Sequence, residues 1–302
     1  MKYFLRTLLV LFTVCAWLVL VLFFSIRVIT RGPSVEGRNI FVTTMLETGQ
    51  MKWLVGLFLN PDEIAAIVND NSMVAMEADS DSSLISVAED AGDATDEAPP
   101  IQVDKIAGDN FSATMMVIKD PSRVFVGTTH PWGETGTELD KLVEKYGAIA
   151  GTNGGLYESS GNSGGWPHGP VVSEGEIQNM AQLQLEGLVL VGLSEDNILQ
   201  VIDINGKTEE EIRAIISNEK IRDAVCFQEE FSDANNHFVK LIINGERREM
   251  NGLGSGANPR TAIGQTADGK ILLLVTDGRG SNGHLGATAA ELPDIWGLPD
   301  RI

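Results

Sequence analysis

Two apolar runs, residues 261–264 and Ile271–Thr276, flank the pair Asp268-Gly269. An Asp-Gly pair between apolar runs is the strongest short-range signal of an antiparallel hairpin. Such a hairpin belongs in a core, and the rest of the chain has to be arranged around it. Its first strand opens on Arg260 and its second closes on Asp277 and Arg279. Apolar strands fix position, so one end of a buried hairpin carries a carboxylate and two guanidiniums facing a cleft.

The run Asn258-Pro259-Arg260-Thr261-Ala262-Ile263-Gly264, the Asp-Gly turn, Thr276-Asp277-Gly278-Arg279 and a later Ala290-Glu291-Leu292 together resemble the signature of the phosphodiester glycosidase family. The earlier run Ala150-Gly151-Thr152-Asn153-Gly154-Gly155-Leu156-Tyr157 resembles that family's other glycine-rich signature, with Leu-Tyr where aromatic pairs are commoner. The resemblance covers residue 104 to the end. It implies a hydrolase acting on a sugar-1-phosphodiester, and many bacterial members are associated with exopolysaccharide.

The 302 residues carry a formal net charge of −20, enough chain for one domain with appendages. An acidic surface without a basic stripe argues against nucleic acid as a partner, so an anionic substrate needs a local positive site. Cys15 lies in the apolar N-terminal run and Cys226 in a predicted strand, so the two do not form an intrachain disulfide.

Residues 7–26 are apolar or small hydroxyl throughout, with Lys2 and Arg6 before them and Arg27 and Arg31 after. That is the length needed to cross a bilayer as a helix, and no small-x-small cleavage site follows Phe24. Residues 1–38 therefore read as a cytoplasmic tip and a single transmembrane anchor, with the body extracytoplasmic. Residues 39–75 read as a helical juxtamembrane stalk that rests on the membrane or pairs with itself. Within it Asn60-Pro61-Asp62-Glu63 marks a helix start, and Met51, Trp53, Leu54, Leu57 and Phe58 make it greasy. Residues 76–103 are rich in Asp, Glu, Ser and Ala and read as a disordered acidic linker.

Strands are predicted over 111–119 and 123–128 around the turn Asp120-Pro121-Ser122, then a helix over 136–146 and a short strand over 148–152 that ends at Asn153. A glycine-rich loop over 161–169 holds Trp166 and His168. Further strands are expected over 171–177, 187–193, 198–204, 222–228, 238–243 and 246–250, with a helix over 209–217 introduced by Thr208. This pattern predicts an α+β domain over 104–302, built on a largely antiparallel mixed sheet with a few helices.

Arg260 and Arg279 are candidates for holding a phosphate, because a guanidinium matches phosphate oxygens with a planar fork. Glycosidic cleavage usually uses two carboxyl groups. Asp277 is one candidate, and Glu291 is the other acid within the signature. A phosphate leaving group is already a weak base, so charge stabilisation carries more of the barrier than proton donation. Asn153 can orient a sugar hydroxyl while Gly154 and Gly155 permit close backbone approach. Thr261, Gly278 and His168 complete the substrate-binding candidates, and His284 is a weaker candidate for acid–base work. Read without the resemblance, Asp277-Gly278 and Asn153-Gly154 are equally simple turns. Gly278-x-Gly280-x-x-Gly283 matches a dinucleotide fingerprint only formally, since its strand belongs to an antiparallel hairpin. Four histidines without paired spacing give no zinc site, no cofactor is identified, and a calcium or magnesium ion held by oxygens stays open.

At the C-terminus the family continues into an Asp-Gly-Gly-x-Ser motif that this chain lacks. Pro293 is expected to end or kink the helix that contains Glu291. The expectation is a truncated or frame-shifted reading of a longer protein. The alternative is a natural short form that binds glycan without cleaving it.

Overall fold

The computed structural model describes residues 2–48, 51–76, 79–87, 100–158, 164–231, 236–280 and 282–296. Helix α1 (Lys2–Arg31) contains the apolar run and is long and apolar enough to cross a membrane. Three shorter helices follow: α2 (Val35–Glu47), α3 (Lys52–Val55) and α4 (Pro61–Asn69). The predicted start at residue 60 is present as a capping box. Asn60 Oδ1 accepts from the Glu63 N–H and Glu63 accepts from the Asn60 N–H, with Pro61 at the first turn where no N–H is needed.

Thirteen strands follow among the described residues: β1 (Ile101–Ala107), β2 (Ser112–Ile118), β3 (Gly169–Ser173), β4 (Glu176–Ala181), β5 (Leu188–Ser194), β6 (Leu199–Asp203), β7 (Ile221–Gln228), β8 (Glu230–Phe231), β9 (Asn236–His237), β10 (Ile242–Ile243), β11 (Glu246–Arg247), β12 (Arg260–Gln265) and β13 (Ile271–Thr276). Helices α5 (Leu139–Lys145), α6 (Glu209–Asn218) and α7 (Leu292–Trp296) lie between or after them. Every strand pairing is antiparallel. One sheet has the order β1-β2-β13-β12, a second the order β4-β3-β7-β5-β6, and β8-β9 and β10-β11 are short ribbons. The architecture is α+β, as the strand-rich pattern predicts.

The β12–β13 hairpin forms one side of the first sheet, with β13 interior beside β2 and β12 at the edge, and pairs Arg260 opposite Thr276 and Gln265 opposite Ile271. Alternation along its strands splits its side chains between two layers. Leu272, Leu274 and Ala262 pack with Phe111, Met115, Leu292, Ile295 and Trp296. Ile263, Leu273 and Ile271 turn the other way, towards Val189, Val191, Leu193 and Phe227 of the five-stranded sheet. The far face of that second sheet is covered by α6 through Ile212 and Ile216, against Leu188, Leu190 and Cys226.

Several local expectations change. Strand β2 pairs with the preceding β1, so ordered structure begins within the span read as linker, and residues 123–128 form no ladder. Val124 and Val126 instead lie beside the second sheet, where Arg222 donates to the Val124 carbonyl and Asp223 accepts from the Val126 N–H. Part of the acidic segment also docks: Ser80 exchanges hydrogen bonds with Val201, and Ser86 N–H donates to the Ala267 carbonyl. Residues 77, 78 and 88–99 of that segment lie outside the described residues. The single strand expected over 171–177 is a hairpin, turned at Glu174-Gly175, where both residues have positive φ. Pro293 does not end a helix. It sits in the first turn of α7, where proline's fixed φ and missing N–H are tolerated.

Candidate functional site

A cleft of about 1800 Å³ is lined by residues of both sheets and of the 146–157 stretch. Asn153, Gly154, Gly155, His168, Arg260 and Thr261 line it, so the two glycine-rich signatures converge on one space. The join is explicit: Thr261 Oγ1 donates to Asn153 Oδ1 at 2.8 Å. Gly155 has φ +75, and its backbone lies against Val225, where the Leu156 N–H donates to the Cys226 carbonyl at 2.8 Å. The turn thus needs glycine for conformation and is fixed in height by β7.

The Asp277 carboxylate is the acceptor for three donors. It takes the Ser112 N–H at 2.6 Å, Asn282 Nδ2 at 2.6 Å, and His284 Nδ1 at 2.9 and 3.0 Å from its two oxygens. These bonds, the Ser112 amide foremost and His284 next, hold its carboxyl below the usual range against the opposing effect of desolvation. Asp277 is therefore anionic near neutrality, suited to accept a proton, attack, or stabilise positive charge rather than to donate a proton. It shares a small depression of about 450 Å³ with Lys105, Thr114 and Val275. His284, ranked low from sequence, forms with it a carboxylate–imidazole pair.

Arg260 points to the opposite face of the hairpin from Thr261, as alternation requires. Its side chain is 17% exposed, and its partner Glu47 on α2 is 10% exposed, with the guanidinium and carboxylate 3.1 Å apart. The same guanidinium nitrogen donates to Ser255 Oγ and to the Gly256 carbonyl, both at 2.9 Å, and its plane lies 4.8 Å from the Phe238 ring. Burial lowers the Arg260 pKa from its ordinary value, and the Glu47 carboxylate opposes that shift. Glu47 also accepts from the Gly256 N–H at 2.6 Å and from the Asn258 amide, whose oxygen accepts from Arg279.

The segment read as a juxtamembrane stalk also contacts the body. Thr44 Oγ1 accepts from the Ala257 N–H at 3.0 Å, Asn71 Oδ1 from the Leu253 N–H at 3.2 Å, and Met73 bridges to Met250. A Cβ on Gly256 would come within 2.6 Å of the Thr44 backbone nitrogen, so glycine there permits the helix to approach. Nothing in the local sequence marks Glu47 as an ion-pair partner, because its guanidinium lies 213 residues away.

The remaining candidates are more peripheral. Arg279 is exposed, with φ +53, and reaches back to Asn258. Gly278 packs against the Gly286 backbone, where a Cβ would approach to 2.9 Å. Glu291 accepts from the Thr288 N–H at 2.8 Å and the Thr288 hydroxyl at 2.7 Å, capping the turn before α7. Among the described residues no group of three or more His, Cys, Asp or Glu side chains is placed to hold a metal ion.

The sequence pattern of a family described as phosphodiester glycosidase matches residues 146–298. No curated protein matches the chain. Among solved structures, the zebrafish N-acetylglucosamine-1-phosphodiester alpha-N-acetylglucosaminidase catalytic domain, auto-inhibited by its pro-peptide, aligns at 16% identity with a TM-score of 0.46, covering 66% of this chain and 68% of that one. The crystal structure of a hypothetical protein from Synechocystis aligns at 13% identity with a TM-score of 0.37, covering 66% and 56%.

Proposed function

The chain belongs to the phosphodiester glycosidase family, and from that premise we propose that it is a membrane-anchored, extracytoplasmic hydrolase that cleaves a sugar-1-phosphodiester, in exopolysaccharide or other cell-surface glycan metabolism. The carrying observation is the Asn153–Thr261 hydrogen bond at the cleft, which joins the family's two signature stretches at one point. In this reading Asn153 and Thr261 orient the sugar, and the Gly154-Gly155 backbone lies beside it. Arg279, with Arg260 behind the same loop, supplies positive charge to the phosphate.

Cleavage breaks the bond between the anomeric carbon and the phosphate oxygen. Electrons leave with the phosphate, and water supplies the hydroxyl that replaces it. The anionic Asp277 opposes the positive charge that develops on the sugar ring, and His284 beside it takes the water proton. Arg260 is largely neutralised by Glu47, so its share is to hold the 255–258 loop and Arg279 in place. Glu291, occupied by Thr288, supports α7 in this reading and leaves the chemistry to Asp277.

That neutralisation also favours a second reading, a surface glycan-binding or assembly protein without turnover. A fluorogenic sugar phosphodiester separates the two. The hydrolase reading expects release of free sugar, lost in Asp277→Asn and reduced in Arg279→Ala. Saturable binding without release would give the second reading, and equal turnover in both variants would remove the assigned roles.

A further inference from the structure

The segment between α2 and α4 carries apolar side chains on both sides. Val55 and Leu59 turn inward and are buried with Val42 and Ile67. Trp53 is 62% exposed and Leu57 is 64% exposed, and Met51 is exposed with them. A short amphipathic element in water presents polar groups outward, so an apolar outer face calls for a different surrounding.

Its contacts with α1 show which surrounding. The Phe58 ring lies 5.1 Å from the Phe23 ring. Phe23 is three residues inside the C-terminal end of the apolar run, about 4.5 Å along a helix rising 1.5 Å per residue. Further up α1, Arg31 pairs with Glu63 and donates to the Phe58 carbonyl at 2.8 Å. The order along α1 from apolar to charged is matched by the order along the docked segment. A helix with a run of this length places Phe23 just inside the hydrocarbon boundary and Arg31 in the headgroups.

We infer that residues 51–59 form an interfacial wedge, with Met51, Trp53 and Leu57 seated at the headgroup level of the bilayer that α1 crosses. The proposal rests on the membrane-anchored reading above and is independent of catalysis. Tryptophan suits that depth because its ring is apolar and its N–H is polar, and Lys52 can extend its ammonium towards water. With a net charge of −20 on the protein, apolar burial rather than attraction to anionic lipid drives the contact, so zwitterionic lipid is the fitting surface. The wedge follows Glu47 closely in sequence, so it holds the Arg260 side of the body towards the membrane.

The test uses the full chain reconstituted in phosphatidylcholine vesicles. Leu57→Cys, Trp53→Cys and, as a water-exposed control, Lys141→Cys are each made on a Cys15→Ser background and labelled with an environment-sensitive fluorophore. Buried Cys226 stays unlabelled. The wedge expects blue-shifted emission at positions 53 and 57, quenched by lipids spin-labelled near the headgroup end of the acyl chain, with position 141 unaffected. A second sample, labelled at native Cys15, reports α1 through lipids spin-labelled near the chain terminus. Quenching at Cys15 with positions 53 and 57 behaving like 141 overturns the wedge and leaves the anchor intact. No quenching at Cys15 removes the anchor, and the wedge falls with it.

Discussion

Alkylation of Cys226 as the pH is raised probes the ground on which the cleft turn stands. This side chain is 1% exposed, beneath a turn whose Leu156 N–H bonds to the Cys226 carbonyl. A Cβ on Gly169 would meet its sulfur at 2.6 Å, so the thiol packs directly on the Gly169 backbone. Burial pushes the thiol from 9.0 up to about 12, only partly offset by the backbone amides of Val189 and Phe227. The thiolate is the reactive species, so a shift of about three units makes native Cys226 roughly a thousandfold slower to alkylate at pH 8 than the same residue unfolded. The same shift has a stability consequence of definite sign. Below the unfolded pKa both states hold the proton and the contribution is fully present. Above it the unfolded chain binds fewer protons, so stability falls by about 1.4 kcal/mol per pH unit until the folded pKa is passed. The assay is iodoacetamide labelling of the detergent-solubilised protein, read by peptide mass spectrometry with and without urea. Modification of native Cys226 at pH 8 within about tenfold of the unfolded rate would refute the burial argument.

Other outcomes follow from the same geometry. Gly256→Ala drives a methyl group into the α2 backbone and is expected to cost about 1–3 kcal/mol as overpacking, seen as a lower urea midpoint and faster proteolysis near residue 47. Trp296→Ala removes a buried ring packed on Gly264 and is expected to cost about 3–5 kcal/mol, and an unchanged thermal midpoint would show that α7 is not part of the core. Thr261→Val keeps shape but removes the hydroxyl bonded to Asn153, so stability should change by about 1 kcal/mol while substrate turnover or binding at the cleft weakens. Asp277 has a folded pKa held below its unfolded value. Its contribution is present above the unfolded pKa near 4 and lost as pH falls through the folded one, and Asp277→Asn should flatten that acid limb of a stability-against-pH curve.

Local patterns carried most of the fold. The Asp268-Gly269 turn, the Thr208 and Asn60 helix starts and the apolar runs of β5, β6 and β7 all stand close to where periodicity and turn chemistry put them. The failures have physical causes. Residues 123–128 are apolar enough for a strand, yet their hydrogen bonds go to Arg222 and Asp223 side chains, which no local pattern encodes. Strand β1 was obscured because its residues are largely exposed at a sheet edge and follow an acidic tract. At Pro293 the same proline chemistry that ends a helix also suits a first turn, so the helix runs on from it rather than up to it. In the candidate site, the convergence of Asn153 and Thr261 was legible through the resemblance of their motifs. The opposite facing of Arg260 and Thr261 was also implicit in strand alternation. Glu47 was not legible, because a partner more than two hundred residues distant leaves no local trace.

The docking of α2 on the 252–258 loop also sets an order of events in making the protein. Glu47 leaves the ribosome long before Gly256, from which it is separated by 209 residues. Closing so long a loop is slow, and until the β12–β13 hairpin exists α2 has only its local packing with Val55, Leu59 and Ile67. During most of synthesis the contacts of Glu47 and Thr44 with the 256–260 stretch cannot yet form. A nascent chain halted before residue 252 lacks the loop on which Thr44 and Glu47 dock, and pulse labelling of arrested chains would find that face of α2 protected only once the hairpin has emerged.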